Sequence, residues 1–329
     1  MKKRILFRVD GYKEIGIGQI YRCLAIAALF KDHEVMFVTT KKSAEGISVL
    51  YDSGINFSVI DSVEEIFNVI KTWLPDIIVI DCLNSTSDYM KRIKALVKRV
   101  IAIEDLGTGA KYADAVINAL YEDKSDGVKF FSGSKFHCLR EEFHNIGIPN
   151  FSESVNEIMI TFGGADPSNL TKRLYNICKQ IHEIYPKVHF TFVCGLVYDC
   201  SGNGIVSDNN LNITILQNVH NISYYMKRSD IAVTSQGSTI FELASLGIPS
   251  ISIAQNEREL THTFACDANG FLNLGLGKDL SDESIKNSII MLINNTDRRH
   301  CMRKLMLKND IMSGTLRVAD IILGKNDPE

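Results

Sequence analysis

No two of the eight cysteines form a C-x-x-C pair; Cys23, Cys82, Cys138, Cys178, Cys194, Cys200, Cys266 and Cys301 are scattered along the 329 residues. Zinc sites and disulfide frameworks need close, repeated spacings. The thiols therefore read as buried groups of a reducing compartment, and no cluster of carboxylates suggests another metal site. No apolar run is long enough to cross a bilayer. The start "MKKRILFRVDGYK" has a basic end, but Arg8 and Asp10 break its apolar run, so it reads as a first strand and not as a signal segment. A cytoplasmic protein with no integral membrane segment is expected. Charge of one sign is also lacking: 36 Lys+Arg against 39 Asp+Glu leave a formal net charge of -3 and a pI of about 6.3. Without a basic stripe, no nucleic-acid or anionic-membrane partner is expected.

What is present is alternation. Short β-branched runs, "RILFRV", "EVMFVT", "INFSVI", "DIIVID", "RVIAIE" and "DAVIN", alternate with helical apolar spacing over 19–31, 43–53, 62–73 and 86–97. The second half repeats the scheme with "EIMITF", "HFTFVC", "LNITIL", "DIAVTS" and "PSISIA". Its helices are expected near 168–184, 220–228, 239–246, 258–269, 281–294, 297–310 and 313–323. Strands such as Ile77-Ile78-Val79-Ile80 are apolar on both faces, as in a parallel sheet covered by helices. The length exceeds what one core usually covers. The reading is two doubly wound, Rossmann-like α/β domains, 1–150 and 151–329, facing one another across a cleft. The boundary is set near Asn150, where regular periodicity is lost.

Ligands of open parallel sheets sit beyond the carboxyl ends of the strands. Asp10, Asp61, Asp81 and the Glu104-Asp105 pair fall there; singly, each is also a common turn former. Three glycine-bearing turns follow strands. "GIGQIYR" holds Gly16 and Gly18, lacks the third glycine of the dinucleotide fingerprint, and lacks the Lys-Ser/Thr of a Walker loop. It either brings backbone amides to an anion or is a plain strand-to-helix turn. "TFGGADPSNLTKRL" places Gly163 and Gly164 before a helix whose first turn suits Pro167. "TSQGSTIFELASLGIP" places Gly237 and Ser238 before a third helix, with Glu242 one turn in. There Thr239 and Glu242 also match a capping box, which would close the helix end without a ligand.

Together these segments resemble the UDP-sugar hydrolases of pseudaminic acid biosynthesis and their spore-coat polysaccharide relatives, which are akin to MurG-type glycosyltransferases. The resemblance runs from "FRVD…IGIGQIYRCLAIA" through "VIDCL", "AIEDLGTGAKYADAVIN", "GSKFHCLREEF", "GGADPSNLT" and "GSTIFELASLGIPSISIAQNE" to "NGFLNLG". It implies a GT-B fold with a UDP-sugar held mainly by the C-terminal domain and with no cofactor or metal. It implies that Glu242 meets the ribose, that Gly237, Ser238 and Thr239 lie against the diphosphate, that Val219 lies near the uracil, and that Asn256 lies near the sugar. Arg8, Asp10, Gly16, Gly18 and Arg22 match its N-terminal signature.

Two departures bear on catalysis. The family's loop has a catalytic histidine where this chain has Gln19, and an Asp-His-Tyr pattern where this chain has Asp81-Cys82-Leu83. A positioned base contributes about 10²–10⁴-fold, and a glutamine amide can orient a water or hold a hydroxyl but cannot take its proton. Asp10 is the first substitute, with Glu14, Glu104 and His262 after it. Glu259 and His262 would share a helix face, a spacing that also occurs in ordinary surface pairs. The expected activities are hydrolysis of a UDP-sugar to free sugar and UDP, transfer of the sugar to an unknown acceptor hydroxyl, or nucleotide-sugar binding without catalysis.

Overall fold

The computed structural model describes residues 2–12, 16–121, 129–219 and 221–325. Glu14 and His220 lie outside the described residues. The chain divides into two compact units, Met1–Arg140 with Ile311–Glu329, and Glu141–Asp310.

The first unit contains β1 (Arg4–Val9), α1 (Gly18–Ala27), β2 (Glu34–Thr40), α2 (Ala44–Asp52), β3 (Phe57–Ile60), α3 (Ile66–Trp73), β4 (Ile77–Asp81), α4 (Ser87–Lys94), β5 (Arg99–Ile103), β6 (Ala115–Asn118) and β7 (Lys129–Ser132). The second contains β8 (Glu157–Thr161), α5 (Leu170–Ile184), β9 (His189–Cys194), β10 (Ile213–Gln217), α6 (Ile222–Arg228), β11 (Ile231–Thr234), α7 (Thr239–Leu246), β12 (Ser250–Ala254), β13 (Phe271–Leu276), α8 (Asp282–Asn294) and α9 (Thr296–Met306). The last helix, α10 (Gly314–Leu323), returns to the first unit.

Each unit is an all-parallel sheet, ordered β3-β2-β1-β4-β5-β6-β7 in one and β10-β9-β8-β11-β12-β13 in the other. The order reverses between β1 and β4, and again between β8 and β11, which is the doubly wound scheme read from the sequence. The central strands are buried on both faces; β4 is buried at every position. Their near-continuous Ile/Val composition follows from helices covering both sides.

The division departs from the expected boundary near Asn150 in two ways, each with a packing cause. Residues 141–149 join the second unit: the Glu142 carboxylate accepts the Ser223 N–H at 3.0 Å, Lys227 donates to the Ile146 carbonyl at 2.5 Å, and Arg303 donates to the Pro149 carbonyl. The helix α10 joins the first unit because Val318, Ala319, Ile321 and Ile322 sit in the same core as Phe7, Ile26 and Phe37. Arg99 donates to the Ile321 and Ile322 carbonyls at 2.6 and 2.9 Å, and Lys3 to that of Leu323 at 3.1 Å, so cations close the helix's carboxyl end. At its start, a Cβ on Gly314 would stand 2.0 Å from the His137 carbonyl, so only glycine permits this docking.

The strands β7 and β13 lie outside the β-branched runs of the sequence, and the helix expected over 258–269 does not form. In its place are two short 3-10 turns, Glu259–Thr261 and Asp267–Asn269. Glu259, His262 and Asn269 spend their side chains on loop backbone, as in the Asn269 amide donating to the Phe264 carbonyl at 2.9 Å, and such bonds compete with a helix.

Candidate functional site

In the first unit, Asp10 follows β1 and receives a converging set of donors. Its Oδ1 accepts from Thr39 Oγ1 (3.3 Å), the Thr40 N–H (3.1 Å), Thr40 Oγ1 (2.9 Å) and Ser43 Oγ (3.1 Å), and its Oδ2 accepts from Arg8 at 2.8 Å. Burial opposes its ionisation, but the Arg8 guanidinium and the Thr40 donors outweigh burial and lower its pKa to about 2. Asp10 therefore ties the ends of β1 and β2 together, and its low pKa makes it a weak base.

Arg22 is likewise committed. Its Nε and Nη2 donate to the Asp81 carboxylate at 2.8 and 2.7 Å, and its Nη1 lies 3.7 Å from Glu104. It fastens α1 to the ends of β4 and β5 in a buried ion cluster. Glu104 follows β5 directly with a φ of 51°, a left-handed conformation that costs a non-glycine residue roughly 1–3 kcal/mol. Its carboxylate accepts the Ala119 and Leu120 N–H groups at 2.8 and 3.3 Å. Burial pushes Glu104 up to about 7 against the pull of Arg22 and those amides. The beginning of α1 carries no side-chain cap and no acid in its first turn. Gly16 has a φ of 78° and donates its N–H to the Tyr12 carbonyl at 2.8 Å, and Gly18 opens the helix. Next along α1, Gln19 is 9% exposed, and among the described residues its amide has no hydrogen-bond partner.

In the second unit, two turns flank the reversal of strand order. Gly163 has a φ of 77°, and a Cβ on Gly163 or Gly164 would meet nothing within 4 Å. A third glycine, Gly195, backs this turn; its Cβ would lie 2.3 Å from the Gly164 Cα. Behind the turn, however, α5 begins at Leu170 with Pro167 outside it, and its beginning is occupied. The Asp166 carboxylate accepts the Leu170 N–H at 3.0 Å and the Thr171 N–H at 2.7 Å. Burial raises the pKa of Asp166 in spite of those bonds. A phosphate drawn to α5 would meet a carboxyl group already there.

The turn before α7 differs. Ser238 takes the N-cap position with no side-chain cap bond, and Thr239 is the first helical residue, so the capping box read from Thr239 and Glu242 is not formed. Gly237, Ser238 and Thr239 are half-buried, and Glu242 is buried at 5% exposure. A Cβ on Gly237 would have Ser235 Oγ as its nearest neighbour, at 3.8 Å. Val219 is half-buried after Asn218, whose N–H reaches the Cys194 carbonyl at 2.9 Å. Exposed Asn256 uses its Oδ1 to accept the Glu259 N–H at 3.1 Å.

Two residues outside the expected ligand contacts organise these turns. Glu259 Oε2 accepts the N–H groups of Gln236 (3.2 Å) and Gln255 (2.8 Å), and its Oε1 accepts from the Gln255 side chain at 3.2 Å. His262 Nδ1 is 2.6 Å from the Gln236 carbonyl. A carbonyl only accepts, so Nδ1 carries the proton, and burial lowers the pKa of His262, which favours the neutral ring. The two residues of the E-x-x-H spacing both bond to backbone. Among the described residues no group of His, Cys, Asp and Glu could hold a metal ion, and no helix is long and apolar enough to cross a membrane.

Two parallel doubly wound units define the GT-B fold class, and the solved structures that resemble the chain share it. MurG of Acinetobacter baumannii superposes with a TM-score of 0.69 at 14% identity, covering 98% of this chain and 99% of that one. The spinosyn rhamnosyltransferase SpnG complexed with thymidine diphosphate does so with a TM-score of 0.65 at 12% identity, covering 98% and 100%. Residues 157–305 match the glycosyltransferase family 28 C-terminal domain. Among relatives, the chain is 32% identical over 278 residues to the uncharacterized protein MJ1062 of Methanocaldococcus jannaschii, covering 77% of this chain but only 56% of that protein, about half its length. It is 24% identical over 293 residues to the spore coat polysaccharide biosynthesis protein SpsG of Bacillus subtilis, covering 84% and 85%.

Proposed function

We propose that the protein is a nucleotide-sugar enzyme of polysaccharide biosynthesis, a glycosyltransferase that moves a sugar from a uridine diphosphate donor to an acceptor hydroxyl. The observation that carries this reading is the uncapped beginning of α7, with Gly237 and Ser238 before it and Glu242 one turn inside. It stands at the sheet's reversal point, within the segment that matches the glycosyltransferase domain. The amides of Gly237, Ser238 and Thr239 stabilise the charge of the departing diphosphate, Glu242 takes the ribose hydroxyls, and Val219 packs near the base. The anomeric carbon–oxygen bond to the diphosphate breaks, a bond to the acceptor oxygen forms, and the acceptor's proton goes to a base.

Asp10, held by Arg8 and by four hydroxyl and amide donors, is a structural charge, and D10N removes it. The depressed pKa of Asp10 contributes stability above its ordinary value of 3.8 that is lost as pH falls through about 2. The variant should therefore lower Tm at neutral pH and change little near pH 2.

Hydrolysis to free sugar and UDP, as in pseudaminic-type acid synthesis, is the second reading. The amide of Gln19, without a partner among the described residues, can hold a water as readily as an acceptor hydroxyl. Incubation with UDP-sugars, followed by NMR with and without acceptor sugars, separates the two. UDP release only with acceptor supports transfer, and release without acceptor supports hydrolysis. Binding with no turnover in either arm leaves a nucleotide-sugar binding protein.

A further inference from the structure

The Gln236 backbone is gripped from both directions. Glu259 accepts its N–H at 3.2 Å, and His262 donates to its carbonyl at 2.6 Å. The peptide that joins Gln236 to Gly237 is planar and trans, so its C=O and its N–H point in opposite directions. Anchoring the carbonyl on His262 therefore aims the Gly237 N–H away from His262. Glycine at 237 gives the backbone freedom to turn that peptide over, and the reversed peptide would offer a carbonyl oxygen in place of the amide.

We propose that His262 and Glu259 are positioning residues that lock the Gln236–Gly237 peptide with its N–H presented to the nucleotide's diphosphate. The proposal rests on the nucleotide-sugar reading of the α7 turn and adds what holds that turn in its binding form. Glu259 also links the neighbouring loops. Its second backbone donor is Gln255, whose side chain reaches the Phe162 carbonyl at 3.1 Å and whose own carbonyl takes Ser168 Oγ at 2.6 Å. One carboxylate thus joins the ends of β8, β11 and β12, and His262 sets the direction of the peptide between them.

The test is calorimetric binding of UDP to the full chain and to variants at His262, with uridine as a second probe followed by NMR. Asparagine's Nδ2 falls where His262 Nδ1 stands, whereas glutamine's amide falls where Nε2 would be. H262N should bind UDP within threefold of the unaltered protein, and H262Q and H262A at least tenfold more weakly. Uridine, which has no phosphate, should bind all of them alike. E259Q keeps an oxygen for both backbone donors and should fall between the unaltered protein and E259A. Equal UDP loss in H262N and H262Q, or none in H262A, overturns the lock while leaving the nucleotide reading intact. Failure of the unaltered protein to bind any uridine nucleotide removes the nucleotide reading itself, and the lock with it.

Discussion

The helices α5 and α7 both follow glycine turns at the carboxyl edge of one sheet, yet their beginnings are chemically opposite. The first amides of α5 are taken by Asp166, whereas the N-cap residue of α7, Ser238, makes no side-chain cap bond. Both turns look alike as sequence, with small residues ahead of an amphipathic helix, and both read as phosphate sites. The difference lies in one carboxylate four residues ahead of a helix. A helix beginning attracts an anion only while its amides lack an internal partner. By that test α7 is the beginning that fits the diphosphate we propose, while Ser168, ahead of α5, is tied to the Gln255 carbonyl.

The largest effect should come from the α7 side. Replacing Glu242 with alanine removes the charge-assisted bond to the ribose that we propose and should weaken UDP binding by roughly 1–3 kcal/mol. Because Thr239 is already helical, no capping-box loss accompanies it. Calorimetry showing unchanged affinity would remove α7 from the comparison. The G237A variant comes next. Its added methyl has no folded-state neighbour closer than 3.8 Å and Gly237 does not have a left-handed φ, so the fold should be untouched. A diphosphate against that atom would be displaced, with a loss of tenfold or more in affinity, about 1.4 kcal/mol. On the α5 side, D166A removes a helix cap and should cost about 1 kcal/mol of stability in chemical denaturation, with UDP affinity essentially unchanged. A drop in UDP affinity matching the drop in stability would merge the two helix beginnings into one site.

Much of the scaffold was legible from local pattern alone. The helix at 239–246 matches its expected bounds, and the central strands carry the unbroken apolar runs of a doubly covered sheet. The strand β7 was not legible because it is half-buried along its whole length at the sheet's edge, without such a run. The return of α10 to the first unit was hidden for a different reason. Its apolar face is plain in sequence, but which core it covers depends on Gly314 and Arg99, some 200 residues apart. The site divided along the same line. Asp10 was visible as an acid at a strand end, while the donors that acidify it come from Arg8, Thr39, Thr40 and Ser43, the last three in another segment. Acidity is a sum over neighbours in space, so Asp10 and Glu104 could not be ranked by position in the chain.

The smallest expected effect is the sharpest check on the comparison. Gly164 has open space where a Cβ would go and a backbone that alanine adopts freely, so G164A narrows the unfolded chain's freedom at no folded-state cost. Such a change raises stability by about 0.4–1 kcal/mol. If Asp166 keeps the diphosphate away from α5, UDP affinity should move by less than threefold, about 0.6 kcal/mol. A tenfold loss in G164A, equal to that in G237A, would mean that the phosphates lie against both turns. The carboxylate at the beginning of α5 would then have to yield its two amides, or its negative charge, when the nucleotide arrives.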